Sequence, residues 1–153
     1  MSDNLTPDDR RKTMQAVKSK GTKLEKRLWA MLAGMRLRGW NKNPKTVVGT
    51  PDVAFIEQRI AIFIDGCFWH GCAHCQRPLP KTNHEYWVKK INRNVELAQI
   101  YDERLQKDGW KVVRIWEHEM RSLQIIRKRI LDVLSSSKKV FRLLLIVFPL
   151  FFT

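Results

Sequence analysis

The fourteen residues from Asp52 to Asp65, DVAFIEQRIAIFID, constrain the fold more than any other part of the chain. They contain two strand-like runs, DVAFIE (Asp52 to Glu57) and RIAIFID (Arg59 to Asp65), both rich in β-branched and apolar residues. The short gap between them predicts an antiparallel hairpin. The second run is almost wholly apolar, as a central strand covered on both faces would be. Antiparallel partners reverse direction, so the start of the first strand and the exit of the second share one end of the sheet. Asp52 and Asp65 therefore sit at that end. The chain leaves it into a segment, DGCFWHGCAHC, that holds every cysteine in the protein.

Helices are expected around this hairpin. Thr6-Pro7-Asp8-Asp9 is a helix start, with a capping side chain, a proline in the first turn and acids facing the dipole, and it predicts a helix to about Val17. Thr22-Lys23-Leu24-Glu25 reads as a capping box, followed by Leu24, Leu28, Met31, Leu32 and Met35 at helical spacing. Gly39 to Pro44 reads as a loop, and Pro78 and Pro80 keep their stretch irregular. A long helix is expected from Thr82 or Asn83 to about Lys107, ending at Asp108-Gly109, with Trp87, Ile91, Val95, Ala98 and Leu105 on its buried side. WKVVRIWE (Trp110 to Glu117) is a third strand, and a last helix covers roughly Met120 to Leu134. The order ααββαβα has no repeat and no long linker. It predicts a single α/β domain with a central mixed sheet flanked by helices.

The charge balance points to a polyanion. Lys and Arg number 29 against 15 Asp and Glu, a net charge of +14, and each phosphate neutralised by such a surface releases condensed counterions. No charged stretch followed by an apolar one opens the chain, so no secretion is expected. No interior run of about 20 apolar residues is present, so no integral membrane span is expected either. Three cysteines, an odd number, argue for metal binding or reactivity rather than disulfides. LLLIVFPLFF, Leu143 to Phe152, is broken by Pro149 and short for a membrane span; no function is assigned to it.

Two patterns carry chemistry. Cys67-x4-Cys72-x2-Cys75 offers three soft ligands on a short irregular loop, which suits tetrahedral zinc. A fourth ligand is needed, and His70, His74 and His118 are all candidates by position. The acids at the hairpin's end form the second pattern. A Pro-Asp opening one strand, with an acid leaving the next, resembles metal-dependent nucleases of the PD-(D/E)xK type, where hard carboxylate oxygens hold Mg²⁺ beside a scissile phosphate.

Over about Thr6 to Leu134 the chain resembles the very short patch repair (Vsr) endonuclease family. The matching pieces are RRKTMQAV, KLEKRLWAML, GTPDVAF, IFIDGCFWHGC, EYWVKKINRN and GWKVVRIWE, in family order and spacing. The resemblance implies a restriction-endonuclease-like (PD-(D/E)xK-like) fold with a zinc-stapled loop, spanning residues 1–137, followed by a basic then apolar tail over 138–153. It implies Mg²⁺-dependent nicking of duplex DNA 5′ to the T of a T·G mismatch, the product of 5-methylcytosine deamination. Asp52 corresponds to the magnesium-ligating carboxylate, with the backbone carbonyl of Ile64 as its companion. His70 matches the histidine that activates water, a role suited to an imidazole titrating near neutrality. Glu25 matches an active-site acid, and also completes the Thr22 capping box. Cys67, Cys72 and Cys75 fall on zinc positions, and His118, in WEH, stands where a cysteine is usual; this favours His118 as the fourth ligand and leaves His70 for catalysis. Phe68, Trp69 and Trp87 match residues that wedge into the base stack, with Met14 approaching from the other groove.

Two positions depart from the best-known family pattern. An active-site aspartate of the long helix is replaced by Ala98, and Asp65 stands where a histidine is usual. Asp65 then either approaches His70 or the metal directly, in a re-routed site, or the chemistry is impaired. The expected protein is a monomer in the bacterial cytoplasm, nucleoid-associated when on DNA. A mismatch-independent restriction-type nuclease and a catalytically silent DNA-binding zinc protein are the alternatives.

Overall fold

The computed structural model describes Thr6, Asp8 and residues 21–147, the side chains of 138–147 excepted. The helix expected from Thr6 to about Val17, and Met14 with it, lies largely outside the described residues. The first described helix, α1 (Lys23–Gly34), begins as its sequence dictates. Thr22 Oγ1 accepts the Glu25 N–H at 3.2 Å, and the Glu25 carboxylate accepts the Thr22 N–H at 3.1 Å. The capping box thus satisfies donors that a helix start leaves open.

The sheet contains β1 (Trp40–Lys42), β2 (Val53–Phe55), β3 (Ile60–Asp65) and β4 (Lys111–Trp116), in that spatial order. The expected hairpin forms: β2 and β3 are antiparallel, with Phe55 opposite Ile60 and Val53 opposite Ile62. The strands are shorter than their sequence runs because Ile56 already starts the turn. Its carbonyl accepts the N–H of Arg59, whose φ is +51°. β1 corrects the loop expected over Gly39 to Pro44: Trp40 pairs with Phe55 and Lys42 with Val53. A three-residue strand is too short to display an alternation in sequence. Its position is set by pairing with β2, and the Lys42 ammonium lies 4.7 Å from the Trp29 ring and 5.8 Å from the Trp40 ring.

β3 and β4 are parallel, from Ile60–Lys111 to Asp65–Trp116, which makes the sheet mixed and requires a crossover between them. The crossover is α2 (His84–Lys107). It stops where Gly109 adopts φ +79° and the Trp110 N–H reaches back to the Leu105 carbonyl at 2.8 Å. Helices cover both faces. Leu28 and Leu32 of α1 pack with Val53, Phe55, Ile60, Ile62, Val113 and Ile115 of the sheet and with Ile126 and Ile130 of the last helix. On the other face Ala54, Ala61 and Phe63 meet Leu105 of α2.

The last helix, α3 (Leu123–Val147), corrects the expected span of Met120 to Leu134 at both ends. A 3₁₀ turn over Glu117–Arg121 intervenes after β4, closed by the Trp116 N–H donating to Glu119 Oε2 at 2.7 Å. Residues 135–147 contain neither glycine nor proline, so no breaker stands before Pro149 and the backbone stays helical. No helix among the described residues is long and apolar enough to cross a membrane.

Candidate active site and metal centre

The end of the sheet where the hairpin brings Asp52 and Asp65 together is also where α1 begins. Asp52 Oδ2 accepts the Ile64 N–H at 2.6 Å, across the hairpin just beyond the last β2–β3 pair. Its backbone carbonyl accepts from the Trp29 indole at 3.2 Å and from the Asn43 N–H at 3.3 Å. Asp52 is thereby held at both its side chain and its main chain. The turn leading into it is left-handed at Gly49 (φ +75°) and Thr50 (φ +48°). A Cβ on Gly49 would stand 2.8 Å from Tyr101 Cδ2 of α2, so only glycine fits there.

Burial pushes the Asp52 carboxyl up to about 6; the Ile64 N–H opposes the rise, and Glu25 and Asp65 reinforce it. Burial and the two like charges all favour the protonated acid. Glu25 is buried too, but its acid is held below the usual range. Burial raises it, and the bonds from Asn43, Thr22 and Gly21 more than offset that. They run from Asn43 Nδ2 at 3.1 Å, Thr22 Oγ1 at 2.8 Å and the Gly21 and Thr22 N–H groups at 3.0 and 3.1 Å.

Asp65 is 4% exposed. Both of its oxygens accept from Arg114 Nη1, at 2.7 and 2.9 Å. His70 Nε2 faces Asp65 Oδ1 at 3.7 Å, while His70 Nδ1 is buried without a hydrogen-bond partner. Burial lowers the His70 pKa, Asp65 pulling it up and Arg114 pushing it down. His70, Asp65, Ile64, Ala98, Tyr101 and Arg114 line one open pocket of about 270 Å³. Asp65 thus stands beside His70 in this pocket.

The loop after β3 is closed by its own backbone, with the His70 N–H donating to Gly66 O at 3.1 Å and the Cys72 N–H to Cys67 O at 3.0 Å. It brings the sulfurs of Cys67, Cys72 and Cys75 and a ring nitrogen of His118 within 4.8 Å of one another. His118 Nδ1 lies 3.3 Å from Cys67 Sγ and 3.6 Å from Cys72 Sγ. A tetrahedral zinc with ordinary bond lengths would separate sulfur and nitrogen by about 3.6 Å, so the donor set fits such an ion. Burial, with the neighbouring thiols, pushes Cys67 up to about 11; a metal bound there would displace its proton. His74 stacks on the His118 ring at 4.7 Å and lies outside the cluster of potential ligands. Glu117 supports the loop by accepting the Cys67 N–H at 3.0 Å, and is itself paired with Arg77 at 3.1 Å.

Phe68, Trp69 and Trp87 form one aromatic cluster, with ring centroids 5.2 to 5.9 Å apart. Tyr86, more than half exposed, extends it at 5.4 Å from Trp87. Asn94 of α2 ties the cluster to the pocket by donating to Trp69 O at 2.9 Å. Trp29, Asn43, Asp102, Arg114 and Glu117 escape a reading of the sequence. Only Arg114 leaves a signal there, as a charge in the middle of an apolar strand.

Several known proteins are similar to this chain. The family model described as DNA mismatch endonuclease Vsr matches residues 2–77. The Type II nicking enzyme V.NmeDIP of Neisseria meningitidis serogroup C is 42% identical over 123 residues, covering 77% of this chain and 80% of that one. V.XorIIP of Xanthomonas oryzae pv. oryzae, also a Type II nicking enzyme, is 36% identical over 137 residues, 90% of this chain and the whole of the relative. The DNA mismatch endonuclease Vsr of Escherichia coli K12 is 38% identical over 122 residues, 79% of this chain and 77% of that one.

Proposed function

Because the chain belongs to the Vsr family and is a DNA-nicking endonuclease on that footing, we propose that it nicks duplex DNA 5′ to the T of a T·G mismatch by Mg²⁺-dependent hydrolysis. The observation that carries this reading is the Asp52 carboxyl, pushed up to about 6 and accepting the N–H of Ile64, a residue that lines the same pocket as His70. Asp52 would hold the ion. The Ile64 carbonyl would join it, since the N–H and C=O of one strand residue project from the same edge, and β2 no longer covers that edge. When bound there, magnesium would supply positive charge to offset the negative charge of the reacting phosphate. His70, kept neutral by burial, accepts a proton from the attacking water. Glu25 adds negative charge beside Asp52 and secures Asn43, which in turn fixes the Asp52 carbonyl.

Zinc in the Cys67, Cys72, Cys75 and His118 cluster would serve structure. It would staple the loop so that His70 meets the phosphate while Phe68 and Trp69, with Trp87, enter the base stack. Unstacking a step costs a few kcal/mol, and less where pairing is already imperfect, which gives the wedge a preference for mismatches. Met14 is the proposed contact from the other groove. The substrate is double-stranded DNA, met by a monomer in the bacterial cytoplasm.

The test is a nicking assay with Mg²⁺ on matched and T·G-containing duplexes, for the wild type and Asp52→Ala. The expected result is nicking of the T·G duplex alone, abolished by Asp52→Ala. Equal nicking of both duplexes would identify a mismatch-independent nuclease. Binding without nicking would identify a catalytically silent DNA-binding protein.

A further inference from the structure

Arg114 stands in the middle of β4, and neither the metal ligands nor the aromatic cluster engages it. Its guanidinium lies 4.6 Å from the centroid of the Phe63 ring. One edge faces Asp65, with Nη1 donating to both oxygens at 2.7 and 2.9 Å. The other edge faces α2: Nε and Nη2 donate to the Asp102 carboxylate at 2.9 to 3.1 Å, and Nη2 also donates to the Ala98 carbonyl at 3.1 Å. A guanidinium has five N–H donors, and these acceptors occupy all three of its nitrogens. Little capacity is left for a DNA phosphate, which argues against a direct contact. Asp102 lies one helical turn beyond Ala98, on the same side of α2. The helix thus offers a carbonyl from one turn and a carboxylate from the next to a single cation.

The other end of this chain of contacts is Asp65, which is almost wholly buried and faces His70 Nε2 at 3.7 Å. Without Arg114 its carboxylate would be a buried charge with no partner, and it would turn toward solvent or toward the cation site at Asp52. We propose that Arg114 and Asp102 are positioning residues for the nicking reaction: anchored on α2, they hold Asp65 in place beside His70 and so fix the His70 ring in the pocket. The inference rests on the reading of His70 as the group that activates water. Partners that orient a histidine at a metal site are worth about 10- to 100-fold when removed, and a loss of that order is expected here.

The experiment uses the full, zinc-loaded chain. Single-turnover nicking at saturating T·G duplex is measured for Arg114→Ala, Asp102→Asn and His70→Ala, with duplex affinity measured separately in the absence of Mg²⁺. Arg114→Ala is expected to slow nicking about 100-fold with affinity changed less than about threefold, and added guanidinium is expected to recover at least about tenfold. Asp102→Asn is expected to slow nicking about tenfold. In Mg²⁺-free protein the imidazole nitrogen resonances of His70 are expected to shift in both variants, a change that loss of stability alone would not produce. A folded Arg114→Ala protein nicking at the wild-type rate would overturn the proposal, as would a loss matched by the loss in affinity and untouched by guanidinium. Should Arg114→Ala fail to fold, wild-type nicking by Asp102→Asn overturns it instead. Wild-type nicking by His70→Ala would overturn the underlying role of His70. An inactive His70→Ala beside fully active Arg114 and Asp102 variants would overturn the clamp alone.

Discussion

Asp52→Asn should stabilise the protein when magnesium is absent. The folded chain raises the Asp52 carboxyl from 3.8 to about 6, by burial first and by Glu25 and Asp65 after it. A carboxyl raised in the folded state holds its proton more tightly there than in the unfolded chain. Its contribution is therefore favourable below the unfolded value and is lost as pH rises through the folded one. Above pH 6 the ionised group costs about 2 to 3 kcal/mol, at 1.36 kcal/mol for each unit of displacement. Asparagine has nearly the same shape, keeps an oxygen for the Ile64 N–H and carries no charge, so it removes that cost. Alanine would lose the acceptor as well and blur the comparison. For a chain of this length the gain corresponds to about 5 to 10 °C in melting temperature. Melting is followed at pH 4 and pH 8 in magnesium-free buffer with one equivalent of zinc, because a chelator would also strip the cysteine cluster. The variant should exceed the wild type at pH 8, and the difference should shrink to less than about 1 kcal/mol at pH 4. Adding magnesium should raise the wild type and leave the variant unmoved. An Asp52→Asn protein no more stable than wild type at pH 8 would refute the claim that the site is strained by its own negative charge.

Glu25→Gln is expected to cost about 2 kcal/mol in urea unfolding at pH 7, because one amide cannot accept from all four donors that converge on the carboxylate. Since the folded-state acid is lowered, that contribution is present at neutral pH and fades as pH falls through the folded value; a difference from wild type that grew on acidification would contradict it. His118→Ala should lose zinc measured by metal analysis of the purified protein, whereas His74→Ala, whose ring only stacks on His118, should keep one equivalent; the reverse pattern would exchange their roles. Gly49→Ala forces a Cβ to 2.8 Å from Tyr101 at φ +75°. It should cost about 1 to 3 kcal/mol and slow nicking by displacing the turn that carries Asp52, and an unchanged melting temperature would rule that out.

What the sequence could convey was set by range. The hairpin, the capping box at Thr22 and the glycine that ends α2 are written in residues a few positions apart, and each forms where its pattern places it. The metal cluster needed one step more. Three of its potential ligands lie within nine residues, but the fourth joins them only because β4 runs parallel to β3 and ends beside it, bringing His118 to the loop that begins at Asp65. Local spacing left three histidines in competition; among the described residues, the parallel register brings His118 to the three cysteines. The residues missed are those whose partners are farthest away. Arg114 looks misplaced in an apolar strand until its neighbours 49 and 12 positions off are known. Trp29 reads as one more apolar side chain of α1 until its indole is found on the Asp52 carbonyl, 23 residues on. The same logic explains why Ala98 looked like a gap in the machinery. One turn later on α2, Asp102 offers a carboxylate that acts on the pocket only through Arg114, which lines it. A loss at one position and a charge at another are unrelated facts along the chain. They become one arrangement only when α2 packs across the parallel strands, and for that reason a substitution at Asp102 is a sharper probe of this site than one at Ala98.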